Sequence, residues 1–102
     1  MAARVCLLDE NYAIKSIIGN VTDEAIFEII DIAKVLNLNC LSFIYVAGDS
    51  YFNIKGACVI KKEVTLLRNY PGLNQKEALD IIEKGVEEVL KHSHYYLEFL
   101  GD

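Results

Sequence analysis

The chain has 102 residues, 53% of them apolar and 25% charged, with a formal charge of −5 at neutral pH. A single domain spanning 1–102 would bury roughly 65% of the surface its unfolded form exposes, and the composition excludes a disordered chain. The negative balance argues against nucleic acid as a partner, because phosphate binding needs a concentrated Lys/Arg surface and only Lys55, Lys61 and Lys62 come near to clustering.

The first ten residues, MAARVCLLDE, offer one arginine and a short apolar run interrupted by Asp9 and Glu10. This is neither a leader nor a span, so a cytoplasmic protein with no direct membrane insertion is expected. Cys6, Cys40 and Cys58 form an odd set without a CxxC pair. That suits apolar packing in a reducing compartment better than a disulfide framework.

In chain order, Arg4 to Asp9 and Tyr12 to Ile18 are runs rich in Val, Ile, Leu and Tyr, joined by a polar corner and closed by Gly19-Asn20. They read as a β-hairpin. Thr22 before Asp23-Glu24 then places a hydroxyl cap and early negative charge at the start of a helix running to about Leu36. The segment CLSFIYVAGDSYFNIKGACVIKKEVTLLRN follows, with three apolar runs separated by Gly48-Asp49-Ser50 and Lys62-Glu63. It reads as a three-stranded meander whose middle strand is bent at Gly56. Tyr70-Pro71-Gly72 ends it, and Asn74 caps a long final helix from Gln75 to about Leu100. The expected fold is α+β, a five-stranded antiparallel sheet in the order 2-1-5-4-3 with two helices.

The stretch VCLLDENYAIKSIIG, with NVTDEAIFEIIDIAKVLNL and the apolar segment after it, resembles the Roadblock/dynein light chain family of the profilin-like and longin-like group. The apolar-apolar-Asp turn, the Ser-x-x-Gly end of the return strand, the capped helix and the turn at Gly48-Asp49 carry the resemblance over roughly Val5 to Leu90. It implies a dimeric, non-enzymatic platform that binds or regulates a small Ras-like GTPase, as a homodimer or with a related Roadblock-like chain. The chain departs from the family in lacking an extra first helix and in running on into HSHYYLEFLGD.

The first helix gives independent support. At about 100° per residue, Ala25, Ile26, Ile29, Ile30, Ile32, Ala33 and Leu36 fill an arc of roughly 160°, wider than one sheet requires. Phe27 and Val35 fall outside it, among Asp31 and Lys34. These four residues are the candidate partner-binding set, with Phe27 either meeting another chain or tucking against a neighbouring loop. The uncharged run Leu41 to Ala47 is the candidate dimer edge. Leu41, Phe43, Ile44, Tyr45 and Val46 would pair across a two-fold axis that brings Ile29 and Ala33 of the two first helices together.

Catalytic and metal sites are not expected. His92 and His94 would point about 200° apart on a helix, whereas a chelating helical pair is spaced by four. No cysteine has a base beside it in sequence, and no GxxxxGK[ST] loop is present to hold GTP. Glu10, Asp49 and Glu63 read as solvated turn carboxylates. The alternative is a profilin-like small-ligand sensor, or an accessory protein of a virus or defence system; Ser42, Tyr45 and His92 are its nearest polar candidates.

Overall fold

The hairpin forms from β1, Ala2–Leu8, and β2, Ile14–Thr22, in the computed structural model, which describes residues 2–101. Its corner is built by Asp9, whose carboxylate accepts the backbone N–H of Asn11 at 2.8 Å and of Ala13 at 3.0 Å. The turn holds Tyr12 at φ 62°, a left-handed conformation that costs a bulky residue on the order of 1–2 kcal/mol. Ring contacts on the sheet offset that strain.

Helix α1, Asp23–Val35, starts where the capping signal places it, with the Thr22 hydroxyl accepting the Ala25 N–H at 3.2 Å. It buries Ala25, Ile26, Ile29, Ile30 and Ala33, each large side chain worth roughly 1.5–3 kcal/mol.

Beyond α1 the structure corrects the expected fold. There are four strands among the described residues, in the order β2-β1-β4-β3, and three α-helices. The run Leu41 to Ala47 is no strand: Leu41–Phe43 is a short 3-10 helix and the rest is loop. Leu41 and Ile44, three apart, are both buried, while Phe43 and Tyr45 are exposed. That is the spacing of a turn packed on α1, not the alternation of a strand.

The meander reduces to β3, Asp49–Phe52, followed by α2, Ile54–Arg68. Asn53 caps α2, its side chain accepting the Gly56 N–H at 3.0 Å. Ala57, Ile60, Val64 and Leu67 are wholly buried at helical spacing. Gly56 lies in the first turn, where an added Cβ would stand 3.1 Å from Phe52, so it marks close helix-strand packing and not a bulge.

Helix α3, Lys76–Lys91, also ends earlier than expected. Gln75, not Asn74, occupies its N-cap position. His92-Ser93-His94 breaks the helix, and Tyr96–Leu100 returns as β4 between β1 and β3.

All three pairings are antiparallel. Val5 and Phe99 face each other on the inner side of the sheet, as do Leu7 and Leu97, and all four belong to the core formed with the helices. Alternate residues point the other way. The outer face therefore reads, from β2 across to β3, Asn20-Arg4-Leu100-Asp49, then Ile17-Cys6-Glu98-Tyr51, with Ile14-Leu8-Tyr96 in the last row.

Candidate functional site

Two surface features stand out. The first is a cleft of about 600 Å³ lined by Lys34, Asn37, Leu38, Asn39, Ser42, Phe43, Ile44 and Tyr45. Asn37, at φ 57°, turns the chain out of α1, and the Leu38 N–H closes the turn on the Ala33 carbonyl at 2.9 Å. The far wall is fixed from α2. Glu63, only 3% exposed, accepts the backbone N–H of Leu41 at 2.8 Å and of Cys40 at 3.0 Å.

With its base pinned, the loop holds Phe43 75% exposed and Tyr45 61% exposed. Phe27, Asp31, Lys34 and Val35 form one exposed stripe of α1 leading to this cleft, and Lys34 lines its mouth. All four expected partner-binding residues are therefore on the surface. Of the expected dimer residues, Ile29, Ala33 and Leu41 are wholly buried in the chain's own core, Ile44 is buried, Val46 is half-buried, and Phe43 and Tyr45 are exposed. The strand edge on which that interface depended is absent.

The second surface is the outer face of the sheet. Tyr12 reaches over it from the hairpin corner, stacking on Tyr96 at 4.7 Å and meeting Tyr51 edge-on at 5.9 Å. Beneath and beside these rings lie Cys6, Leu8 and Glu98, all buried, while Ile14 and Ile17 on β2 stay about half exposed.

Electrostatically, this face is acidic at one side. The Tyr51 hydroxyl donates to Asp49 at 3.2 Å. Desolvation, that bond and the nearby Glu98 charge push the phenol up to about 12, so it stays a neutral donor. Glu98 is raised above the usual carboxylate value, first by desolvation and further by Asp49, with the bond from Tyr51 acting against the shift.

A glutamate held above its unfolded value has a definite pH signature. Below the ordinary glutamate value it is protonated in both states and adds no penalty. As pH rises through that value and then through the raised folded one, ionisation progressively weakens folding. The Glu98→Gln variant is therefore expected to gain urea stability relative to the wild type across that window and to hold the gain above it. A difference that stays flat with pH would show that Glu98 is not desolvated as described.

Neither Cys6 nor Cys40 has the surroundings of an activated nucleophile. Desolvation raises Cys6, where Glu98 adds to the shift and Arg4 opposes it, and desolvation and Glu63 raise Cys40, the opposite of an activated thiolate. His92 and His94 are exposed, and the His92 ring stacks on Tyr95 at 4.6 Å, away from the cleft that holds Ser42 and Tyr45. No group of three or more His, Cys, Asp or Glu side chains suited to a metal ion occurs among the described residues. No helix among them is long and apolar enough to cross a membrane.

The outer sheet face was not legible as a site because Tyr96–Leu100 reads as helix in the long apolar pattern. The usable signal was Leu97 and Phe99 alternating with Tyr96 and Glu98. The fold defines an α+β protein with helices on one side of a four-stranded antiparallel sheet, an aromatic face on the other, and an aromatic cleft at the end of α1. No family model, curated protein or solved structure matches the chain.

Proposed function

We propose that the protein is a non-enzymatic interaction module that takes a protein partner at the cleft between α1 and the 37–45 loop. The observation that carries this reading is the exposure of Phe43 and Tyr45 on a loop whose base is fixed by Glu63. Aromatic anchors on a prepared surface contribute most of the energy in protein interfaces. The stripe of Phe27, Asp31, Lys34 and Val35 extends this surface along the helix with one charge of each sign.

A small-ligand sensor is less well supported by the same cleft. It has the volume of a ligand site, but the Ser42 hydroxyl is already spent on the Leu38 carbonyl, which leaves Asn37 and Asn39 as its polar lining apart from Lys34 and Tyr45.

The partner to test first is a small Ras-like GTPase, which the Roadblock resemblance implied even though the chain forms a different sheet. A panel of such GTPases, each loaded with GDP or a non-hydrolysable GTP analogue, is titrated with the chain by calorimetry. One member is expected to bind with micromolar Kd. Phe43→Ser, Phe27→Asp and Val35→Asp should each weaken it about tenfold or more while leaving the circular dichroism spectrum unchanged. Binding by no member of the panel rejects the GTPase reading, and binding indifferent to all three substitutions rejects the cleft.

A further inference from the structure

The outer sheet face divides into two unlike halves. On β2 and β1 its exposed side chains are Ile14, Ile17 and, at one end, Arg4; on β4 and β3 it presents Tyr51 and Asp49, with Tyr96 half-buried under Tyr12, while Cys6, Leu8 and Glu98 lie buried beneath. Arg4 is exposed, and among the described residues neither it nor Asp49 nor Glu98 forms an ion pair. An exposed cation without an anion, Arg4, and an exposed anion without a cation, Asp49, thus stand on opposite halves of one face among the described residues.

From this arrangement we infer that the outer face is a self-association surface, on which two copies of the chain pack sheet to sheet about a two-fold axis. The axis runs parallel to the strands and lies between β1 and β4, so β2 and β1 of each copy cover β3 and β4 of the other. In that placement Ile17 lies over Tyr51 of the second copy, and the Tyr12 ring stacked on Tyr96 in each copy faces the other sheet. Arg4 lies over Leu100, in the same row as Asp49 and one row from Glu98. Two sheets packed in this aligned way sit about 10 Å apart, a gap the arginine side chain can bridge.

Each copy would supply the charge the other lacks, as an isologous contact requires. The occupant is a second copy because this face satisfies itself: the exposed isoleucines meet the aromatic half, and the Arg4 guanidinium comes beside Asp49.

The area sets the strength. Four strands at about 4.8 Å and the seven residues of β1 at about 3.4 Å each give on the order of 450 Å² of projected surface per copy. Over both copies that is at most about 900 Å², below the size of standard specific interfaces, so a weak association with a Kd in the upper micromolar range is expected.

The test is sedimentation equilibrium of the full chain from about 5 to 500 μM, where the wild type should pass from an 11.5 kDa monomer to a dimer. Ile17→Glu and Arg4→Glu should each raise Kd at least tenfold without changing the circular dichroism spectrum. The double variant Arg4→Glu/Asp49→Arg, which exchanges the charges, should regain most of what Arg4→Glu loses. Phe43→Ser, at the cleft, should leave association unchanged. A wild type that stays monomeric at 500 μM overturns the inference. So does a dimer untouched by the first two substitutions, a double variant no better than Arg4→Glu, or a dimer that Phe43→Ser dissociates.

Discussion

Glu63→Ala is expected to lower stability by about 3–4 kcal/mol, read as a fall in Tm of about 15 °C or more. Glu63 is 3% exposed and carries two charge-assisted bonds, Oε1 to the Leu41 N–H at 2.8 Å and Oε2 to the Cys40 N–H at 3.0 Å. Removing the carboxylate leaves two backbone donors without acceptors in a part-buried site and opens a cavity beside Leu41, which is wholly buried. Glu63→Gln keeps the shape and one acceptor but sets an amide donor against the other N–H, so about half the loss should remain. The loss should also be local in character, with amide exchange at Cys40 and Leu41 accelerating before the sheet opens. A Tm within about 3 °C of the wild type would show that the loop holds its shape without this pin, and would remove the rigidity assigned to Phe43 and Tyr45.

The contrast between this carboxylate and its sequence context explains what could be read from residues alone. The hairpin and α1 were legible because their signals are local: a polar corner with Asp9 between apolar runs, then Thr22 capping three residues ahead to Ala25. The exposure of Phe27 and Val35 followed from the same helical phase. The segment from 41 to 68 was misread because its Ile, Val, Phe and Tyr content favours strands while its spacing is helical, and spacing wins once Asn53 caps the turn. Glu63 looked like a turn carboxylate beside Lys61 and Lys62. Its true partners, Cys40 and Leu41, are more than twenty residues away in the chain, and no local pattern encodes such a bond. The C-terminal strand was hidden in the same manner, since Leu97 and Phe99 also suit a helix and it is pairing with Leu7 and Val5 that selects the strand.

Gly85→Val is expected to cost about 3 kcal/mol or more, because α3 lies so close to the sheet that an added side chain must displace core atoms. A Cβ at this position would meet Leu97 Cδ1 at 2.7 Å and Val5 Cγ1 at 3.2 Å, with Ile18 Cγ1 at 3.7 Å. Leu97 and Val5 are wholly buried in the core, so neither can swing into solvent to make room. A mid-helix glycine itself weakens a helix by up to about 1 kcal/mol relative to alanine, so its presence here is explained by close approach. Gly85→Ala sets those two effects against each other: it gains about that helix propensity and forces the Leu97 tip to shift, for a net change between roughly zero and a 2 kcal/mol loss. Valine adds two more methyl groups into the same contact and a β-branch that forgoes most of the propensity gain, so its loss should exceed that of alanine clearly. Lys84→Ala, one residue away and exposed, should change stability by no more than about 0.5 kcal/mol. Urea unfolding of the three variants gives the comparison. If Gly85→Val unfolds at the wild-type midpoint, the helix does not lie against Val5 and Leu97 as described.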